Sequence, residues 1–573
     1  MAFVSAMNSA PLTKYGVKGS DVYTEAGVGD LRVALFQQLV RGISEATVSD
    51  TIHRAFKDPS ATKTQLQDYA VMTFQTRDVR GGKGERDVFY AMLLALFNEN
   101  PQAIAPLIRL IPEYGCWKDC WKLWERCSGT VHQAEIHSTV VDLAKWVYFE
   151  DLAKLERKES LSLLGKWLPR EKSKFHELAV RLADAFHPEI VDSKGRLRMY
   201  RKNCAKLNAA LKTTEVSMCG RTWAEIEPST VPGRLLKIAR KAFLNEIVER
   251  KGRPVRRGYT QPAAPKENLR HPDDADRMAC REHFQALTKK ALSGEVTMKA
   301  ADVVYPHELV AKYMCCHSNP STDESDLLQA QWNAIRDKAA AESVSLQACV
   351  PMSDFSGSMD GVPVQVSMAL GILISEINHP AFRGYLLGFD STPSWIDLHD
   401  KPTLQSKVQH ARRFAQGTST DFQAACDLIL RRLVEHKVPA ADAPKDLIVF
   451  TDMGFDVASG ANQYGYYTGN GYSHNVKKQP WETQVQMIRR NFADHGYTAP
   501  RIVLWNLRAE YKDFHAKADE EGVVILSGWS PAVLKAIAKN GVQVKTPYEG
   551  LRELLDDTRY DKVREAWSDA VPT

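Results

Sequence analysis

Apolar residues recur every three or four positions through the first half of the chain, from Asp30 to about Lys312. In GDLRVALFQQLVRG, for example, Leu31, Leu35 and Leu39 fall on one stripe of a helix. Gly, Pro and Asn interrupt this pattern at short intervals, and the apolar segments follow no fixed repeat length. Successive short helices without strand patterns between them predict an all-α domain, built as a solenoid or an irregular helical array.

The pattern changes after Ser318 to Asp326, SNPSTDESD, whose polar composition predicts an exposed linker. Beyond it, the apolar runs SLQACVPM, FRGYLLGF, KDLIVFTD, RIVLWNL and GVVILSG predict strands. They alternate with helical patterns in PVQVSMALGILISEINH, TDFQAACDLILRRLVEHK, ETQVQMIRRNFADHG and SPAVLKAIAKNG, and a last helix is predicted over about Glu549 to Trp567. Near-continuous apolar strands alternating with helices predict a parallel sheet covered by helices on both faces, which is a doubly wound α/β fold.

A chain of 573 residues is too long for one hydrophobic core, so we expect several domains. The change of pattern divides it into a short N-terminal extension, a helical domain, a linker with a connecting helix, an α/β domain and a C-terminal helix. The corresponding residues are 1–29, 30–316, 317–342, 343–545 and 546–573.

Composition places the chain among ordinary globular proteins, with 44% hydrophobic and 25% charged residues. No apolar run reaches the length of a membrane span, and the first residues, MAFVSAMNSAPLTKYG, lack the pattern of a secretion signal. We therefore expect a cytoplasmic protein without a membrane partner. The ten cysteines fit no zinc spacing, which predicts reduced and mostly buried thiols.

Polar clusters follow three of the predicted strand or loop segments in the second half of the chain. The first is Asp354, Ser356 and Ser358 in SDFSGSMDG, the second is Thr420, and the third is Asp452. In a doubly wound fold, such positions meet outside the carboxyl ends of the strands. Hydroxyls and carboxylates are hard oxygen donors that suit Mg²⁺, or Mn²⁺, so these residues predict a metal site. The competing interpretation is that they only cap helices and turns.

This motif resembles that of a von Willebrand factor A domain with a metal-ion-dependent adhesion site, over about residues 343 to 527. The resemblance implies that Ser356, Ser358 and Thr420 contact the metal through their hydroxyl oxygens. It also implies that Asp354 and Asp452 act directly or through water, and that an open coordination position accepts an acidic group of a partner protein.

A wider resemblance covers nearly the whole chain. The segments FQTRDVRGGKGERDVFY, IPEYGCWKDCWKLWE, YRKNCAKLNAALKTTEVSMCGRTWAEI and VVYPHELVAKYM look like a group similar in layout to the Ro autoantigen, of the TROVE class. This likeness implies a HEAT-like helical domain followed by a Rossmann-like von Willebrand factor A domain. It further implies a ribonucleoprotein component that binds single-stranded or small structured RNA through its helical domain.

Basic residues concentrate in two stretches of the helical half, and the formal net charge of the whole chain is only +5. Arg and Lys clustered in this way would bind phosphates and release counterions. Tyr200 and Tyr259 could stack on unpaired bases. An ordinary solvated surface is the alternative. The candidate nucleic-acid-binding residues are Lys194, Arg196, Arg198, Arg201 and Lys202 with neighbouring Lys206, and Arg250, Lys251, Arg253, Arg256 and Arg257.

Two loops have alternative interpretations. Arg77 to Glu85, RDVRGGKGE, lacks the order of a phosphate-binding loop and predicts a turn between helices. Its basic residues Arg77, Arg80 and Lys83 are then surface charges or further RNA contacts. Residues 454–480 form a long Gly/Tyr/Asn insertion, interpreted as a recognition loop, a disordered segment or a lid. The candidate recognition residues in it are Tyr464, Tyr466, Tyr467 and Tyr472.

The sequence favours a binding protein over an enzyme. A phosphatase of the haloacid dehalogenase type needs a second carboxylate two residues after its Asp, where this chain has Ser356. A serine hydrolase would place its nucleophile in GxSxG, which surrounds neither Ser356 nor Ser358. The leading hypothesis is a non-catalytic, Ro-like RNA-binding protein. The alternative is a metal-dependent protein-interaction scaffold that binds a partner carboxylate at the metal.

Overall fold

The structure is a computed structural model that describes residues 11–247, 268–299, 304–314, 320–342, 348–389, 392–415, 420–456, 483–536, 538–539, 542–543 and 546–570. The chain forms two compact units, each assembled from three segments. The sheet unit contains Met1–Ala95, Tyr305–Asn319 and Arg336–Asp561, and the helical unit contains Leu96–Val304, Pro320–Ile335 and Lys562–Thr573. This division differs from the contiguous domains expected from the sequence, because the first 95 residues belong with the sheet.

The helices are α1 Glu25–Val28, α2 Leu31–Gln38, α3 Glu45–Lys57, α4 Lys63–Arg77, α5 Asp87–Glu99, α6 Ile104–Tyr114, α7 Trp117–Arg126, α8 Gln133–Glu156, α9 Leu164–Trp167, α10 His176–Phe186, α11 Ser193–Ala210, α12 Thr214–Gly220, α13 Gly233–Phe243, α14 Ala275–Leu292, α15 Pro306–Met314, α16 Thr322–Glu342, α17 Val362–Ile377, α18 Leu404–Ala411, α19 Phe422–Glu435, α20 Gln484–Asp494, α21 Pro547–Leu555 and α22 Asp561–Ala570. The strands are β1 Thr13–Tyr15, β2 Asp21–Tyr23, β3 Cys349–Asp354, β4 Tyr385–Phe389, β5 Ser394–Asp397, β6 Asp446–Thr451, β7 Arg501–Asn506, β8 Val523–Ser527, β9 Ala538–Lys539 and β10 Val542–Gln543.

The sheet unit is built on a six-stranded sheet with the order β5-β4-β3-β6-β7-β8. All neighbours pair in parallel except β5, which runs antiparallel to β4 at the edge. Every residue of β3, β6 and β8 is buried, as their near-continuous apolar sequences predict. The strand order reverses between β3 and β6, so the carboxyl ends of these two strands flank the crevice where such sheets bind ligands.

A buried ion pair fixes the register of β6 against β7. Arg501 begins β7 beside Asp446, the first residue of β6. Its guanidinium binds the carboxylate through two bonds, Nε to Oδ1 at 2.8 Å and Nη2 to Oδ2 at 2.9 Å. Both side chains are almost fully buried, so each charge depends on the other for its compensation.

The N-terminal segments of the chain complete the sheet unit. β1 and β2 form an antiparallel hairpin in which Thr13 faces Tyr23, and the Tyr23 amide donates to the Phe514 carbonyl at 2.8 Å. Farther along, Arg77 at the end of α4 and Lys83 in the following loop are buried, so the prediction that these two residues are surface charges is wrong, whereas Arg80 is exposed. The Lys83 amino group donates to the carbonyls of Phe36 and Leu39, at 3.1 and 3.2 Å.

The helical unit has its own aromatic core. Phe243 of α13 stacks on Phe284 of α14 with ring centroids 4.5 Å apart, and Trp223 packs edge-on against Phe243. Asp276 of α14 accepts from the amides of Trp223 and Ala224 at 2.7 and 2.8 Å, which ties the two segments together. These packed helices confirm the prediction that a helical part of the chain precedes most of the sheet.

Three local expectations are wrong. Residues 322–326 belong to α16 and not to an exposed linker, because Ser321 caps the helix by accepting from the Glu324 amide at 3.0 Å. Glu324 is buried against Arg240 of α13. Near the C-terminus, the single predicted helix is two helices, α21 and α22, separated after Leu555. The predicted helix in SPAVLKAIAKNG is a 3₁₀ helix over Pro531–Ala536, followed by the short strands β9 and β10.

The described cysteines are free thiols and most of them are buried, as the sequence predicts. Within the described parts of the chain, none of the helices combines the length and the apolar character that crossing a bilayer requires.

Candidate metal centre

The first part of the candidate site is the turn that follows β3. Asp354 is the last residue of that strand, and its Oδ1 accepts from the Ser356 amide at 2.9 Å, which closes a tight Asx-type turn. The turn brings the Ser356 and Ser358 hydroxyls to 3.1 Å from each other. Asp354 and Ser356 are buried, and Ser358 is half-buried. The alternating polar positions of SDFSGSMDG therefore converge on one place.

The end of β6 supplies the second part of the site. Thr451, its last residue, donates from its hydroxyl to Asp354 Oδ2 at 2.8 Å. The following residue, Asp452, is fully buried, and its Oδ1 accepts from the Gly454 amide at 3.0 Å. Its other oxygen, Oδ2, is buried without a hydrogen-bond partner in the described structure. Such an orphaned carboxylate oxygen is costly unless a cation or a proton compensates it.

The two carboxylates affect each other. Burial raises the pKa of Asp354 above its ordinary value, and the nearby charge of Asp452 raises it further. Hydrogen bonds from Ser356 and Thr451 act in the opposite direction. Two buried carboxylates in mutual repulsion are stabilised when a positive ion lies between or beside them. The electrostatics of this crevice therefore favour a cation.

Thr420 forms the third part, immediately before α19. Its amide donates to Asp456 Oδ2 at 2.7 Å, and its carbonyl accepts from the Asp456 amide at 3.0 Å. The Thr420 hydroxyl accepts from Lys18 Nζ at 2.6 Å, and the same ammonium lies 3.4 Å from Ser358 Oγ. Lys18 thus joins the hydroxyls of two of the three predicted clusters. Sequence reasoning missed it, because nothing in the residues around Lys18 indicates a partner 402 positions away.

Two further residues at the site were not predicted from the sequence. Arg508, just after β7, donates from Nη1 to the Ser358 carbonyl. Tyr511 lies over Gly454, where an added Cβ would meet its ring carbons at 2.9 Å and Asp452 Oδ1 at 3.2 Å. Burial raises the pKa of Tyr511, and the charge of Asp452 adds to the effect. Glycine at position 454 therefore leaves room for both the Tyr511 ring and the Asp452 carboxylate, which a side chain there would crowd.

The donor set fits a hard divalent cation better than a soft one. It combines two carboxylates, Asp354 and Asp452, with the hydroxyls of Ser356, Ser358 and Thr420, and all of these are oxygen ligands. No group of three or more His, Cys, Asp or Glu side chains is placed to hold a metal ion in the described part of the chain. A metal at this site would therefore depend on the hydroxyl oxygens. The candidate recognition residues Tyr464, Tyr466, Tyr467 and Tyr472 lie outside the described residues.

The candidate nucleic-acid-binding residues are only partly described. Arg250, Lys251, Arg253, Arg256, Arg257 and Tyr259 lie outside the described residues. The other group is on α11, where Arg196 forms an ion pair with Asp184 at 3.0 Å and Arg201 pairs with Glu171. Tyr200 is buried, with its hydroxyl donating to the Pro169 carbonyl at 2.9 Å, so it cannot stack on bases from this position. Lys194, Arg198, Lys202 and Lys206 are exposed, as is the paired Arg201.

Comparison with known proteins gives a family match and a similar viral protein. Residues 348–569 match a family described as "Domain of unknown function (DUF7788)". The chain is also similar to "Uncharacterized protein L728" of Acanthamoeba polyphaga mimivirus, with 28% identity over 478 residues, which cover 81% of this chain and 75% of the viral protein. The family match spans all five candidate metal ligands and Arg508. It begins well after Lys18, so the hairpin lies outside it.

Proposed function

We propose that the protein is a non-catalytic binding protein that holds Mg²⁺, or Mn²⁺, at the carboxyl ends of β3 and β6 and receives an acidic group of a partner protein there. One observation carries this proposal. Among the described residues, the buried Asp452 carboxylate has one oxygen without a hydrogen-bond partner, at a crevice where its buried neighbour Asp354 has a raised pKa. The resemblance of the motif to the adhesion site of von Willebrand factor A domains supports it.

The proposed roles follow from the chemistry of each ligand. The hydroxyls of Ser356, Ser358 and Thr420 are neutral oxygen donors, so they leave net positive charge on a bound divalent ion. Magnesium keeps an octahedral shell and retains water when the protein supplies fewer than six ligands. A partner carboxylate can replace such a water and gain the attraction of that remaining charge. The hydroxyls of Ser356 and Ser358 bond to each other, an arrangement that suits shared ligation better than activation of one serine as a nucleophile.

Manganese is the probe of choice, because its binding and its bound water are both measurable. We expect the full chain to bind Mn²⁺ in titrations followed by electron paramagnetic resonance, and Mg²⁺ to compete. Water-proton relaxation should show an exchangeable water on the bound ion, and glutarate should displace it. Asp354→Ala should abolish binding. Asp360→Ala removes an exposed carboxylate from the same loop and should bind as the wild type does. Unchanged Mn²⁺ binding by Asp354→Ala would overturn the proposal.

A specific observation favours RNA binding as a second candidate function. Lys194, Arg198, Lys202 and Lys206 are all exposed on α11 and follow one another at every fourth position. Residues spaced by four lie along one face of a helix, about 6 Å apart along the axis. A row of four cations can follow a phosphate backbone and release counterions when it binds. The likeness in layout to Ro proteins supports the same interpretation for the helical unit.

Salt titration tests the RNA proposal. We expect single-stranded or hairpin RNA to bind with an affinity that falls steeply with salt. Each of Arg198→Ala and Lys202→Ala should reduce the slope of log affinity against log salt by about 0.7 to 1. Lys57→Ala, an exposed lysine on α3, serves as the control. Absence of binding at about 50 mM salt would remove this candidate.

A further inference from the structure

A buried acid, Asp513, anchors the hairpin of β1 and β2 beside the candidate metal centre. Asp513 is fully buried, and its two carboxylate oxygens receive separate bonds from the hairpin. Lys14 Nζ binds Oδ1 at 3.1 Å, and the Val17 amide donates to Oδ2 at 2.8 Å. The Tyr23 amide adds a bond to the Phe514 carbonyl, and the Tyr23 hydroxyl accepts from Gln486 Nε2 at 3.1 Å. The hairpin is therefore fixed at several points that do not involve the metal site.

The turn between the two strands directs one side chain into the site. The Gly16 amide donates to the Ser20 carbonyl at 2.7 Å, and the Gly19 amide donates to the Gly16 carbonyl at 2.9 Å. Gly19 has φ +87°, a conformation that residues with a side chain rarely adopt. It also forms an isolated antiparallel bridge with Asp456, the residue that holds the Thr420 backbone. This turn places Lys18 between Thr420 and the loop after β3.

The Lys18 ammonium uses the same oxygens that a divalent ion would use. It donates to Thr420 Oγ1 at 2.6 Å and lies 3.4 Å from Ser358 Oγ. Both hydroxyls belong to the proposed metal ligands. A divalent cation bound to these two oxygens would stand next to the ammonium in a partly buried crevice, where like charges repel strongly. A divalent cation therefore cannot occupy the site while the Lys18 ammonium keeps its present position.

We propose that Lys18 is a tethered cation that competes with the divalent metal for Thr420 and Ser358. The inference rests on the proposed metal-binding function and adds a control to it. While the hairpin stays fixed through Asp513, the Lys18 side chain supplies positive charge to the crevice. Metal entry expels that side chain, so the site fills only when the metal concentration overcomes the tethered competitor. The N-terminal hairpin thus sets the affinity of the site.

Removing the ammonium should strengthen metal binding. We expect Lys18→Met to bind Mn²⁺ at least tenfold more tightly than the wild type, and Lys18→Arg, which keeps the charge, to remain close to it. Lys57→Met controls for the loss of a distant charge. Arg508→Met removes a nearby charge whose contact at Ser358 is the backbone carbonyl and not the hydroxyl. A smaller gain for it than for Lys18→Met would separate competition for the hydroxyls from general electrostatics. An equal gain would overturn the competition.

Labelling of the lysine gives an independent readout. Expulsion of Lys18 by the metal should increase its modification by an amine-reactive reagent when Mn²⁺ is added, as mapped by mass spectrometry. Lys14, fixed on Asp513, should be labelled equally with and without the metal. Equal Mn²⁺ affinity of wild type and Lys18→Met, or unchanged labelling of Lys18 at saturating Mn²⁺, would overturn the competition alone. Absence of Mn²⁺ binding by both proteins would overturn the proposed metal function and the competition together.

Discussion

The amino group of Lys83 donates to the hydroxyl of Ser527 at 2.6 Å and joins two residues 444 positions apart in the chain. Lys83 is fully buried, and its Nζ also lies 3.8 Å from the centre of the Phe36 ring. The Ser527 hydroxyl in turn donates to the Phe36 carbonyl. One lysine therefore links the loop after α4, the end of α2 and the last residue of β8.

Replacing Lys83 should destabilise the sheet unit. Lys83→Met leaves the buried Leu39 carbonyl without the bond from Nζ. We therefore expect the free energy of local unfolding around β8 to fall by about 2 to 4 kcal/mol. Denaturant-dependent hydrogen exchange of the β8 amides measures this quantity locally, without assuming that the whole chain unfolds in one step. Lys57→Met should change it by less than about 0.5 kcal/mol. A similar effect of the two variants would argue against a structural role of Lys83.

The same lysine should make stability depend on pH. Burial lowers the pKa of Lys83 well below its usual range, and the charge of Glu85 raises it in part. A lysine in the unfolded chain has a pKa of about 10.4. Between the folded and the unfolded pKa of Lys83, the unfolded chain therefore binds more protons than the folded one. The contribution of Lys83 to the stability of the fold is therefore complete above the pKa of the unfolded lysine. It is lost as the pH falls toward the pKa of the folded lysine.

We therefore expect the deficit of Lys83→Met relative to wild type to widen from pH 7 to pH 10. The slope should not exceed about 1.4 kcal/mol per pH unit for one group. The same exchange measurement at several pH values tests this, after correction for the intrinsic exchange rates. A deficit that stays constant over this range would contradict the expectation.

The candidate metal centre should cost stability when no metal is present. Asp452→Asn removes one of two neighbouring buried charges, and we expect the protein in EDTA to gain about 1 to 2 kcal/mol. The variant should also lose the stabilisation that saturating Mg²⁺ gives the wild type, since that gain requires binding to the folded state. Thermal unfolding with and without Mg²⁺ provides the comparison, with Asp360→Asn as the exposed control. If Asp452→Asn were less stable than the wild type in EDTA, the Asp452 carboxylate would not be destabilising the metal-free protein.

The ion pair between Arg501 and Asp446 should be strongly coupled. Arg501→Leu leaves a buried carboxylate without its partner and should cost about 3 to 5 kcal/mol. The double variant Asp446→Leu/Arg501→Leu removes both charges and should be more stable than Arg501→Leu alone. A double-mutant cycle on the opening of β6 and β7 measures the coupling. Additive losses would mean that the pair is compensated by other groups.

Local patterns were sufficient for much of the sheet unit. The apolar runs that contain Leu386, Ile448, Val503 and Ile525 form strands, because an uninterrupted apolar segment between turn residues has few other ways to be buried. β5 was missed because SWID is a short, mostly half-buried edge strand with no apolar run. The convergence of Asp354, Ser356 and Ser358 was predictable because one tight turn creates it.

Long-range contacts could not be predicted in this way. Lys18 and Lys83 look like ordinary surface lysines in sequence, since Lys is rarely buried and their partners lie hundreds of residues away. The polar stretch around Glu324 suggested a linker because the charge that compensates it, Arg240, is not a neighbour in the chain. Local composition predicts the structure that a segment favours by itself, whereas the burial of these residues depends on segments that are distant in the sequence.

The interleaved assembly of the sheet unit has a consequence for biosynthesis. At about 5 to 20 residues per second, the ribosome delivers Ser527 roughly 20 to 90 seconds after Lys83, given the 444 residues between them. During that interval the first 95 residues have been made, but the strand that completes their core has not. The apolar surface of the nascent N-terminal segment therefore stays exposed until β8 has been synthesised. A fragment that begins at residue 343 would have the opposite defect, because its α/β sheet would lack the N-terminal segments that cover it.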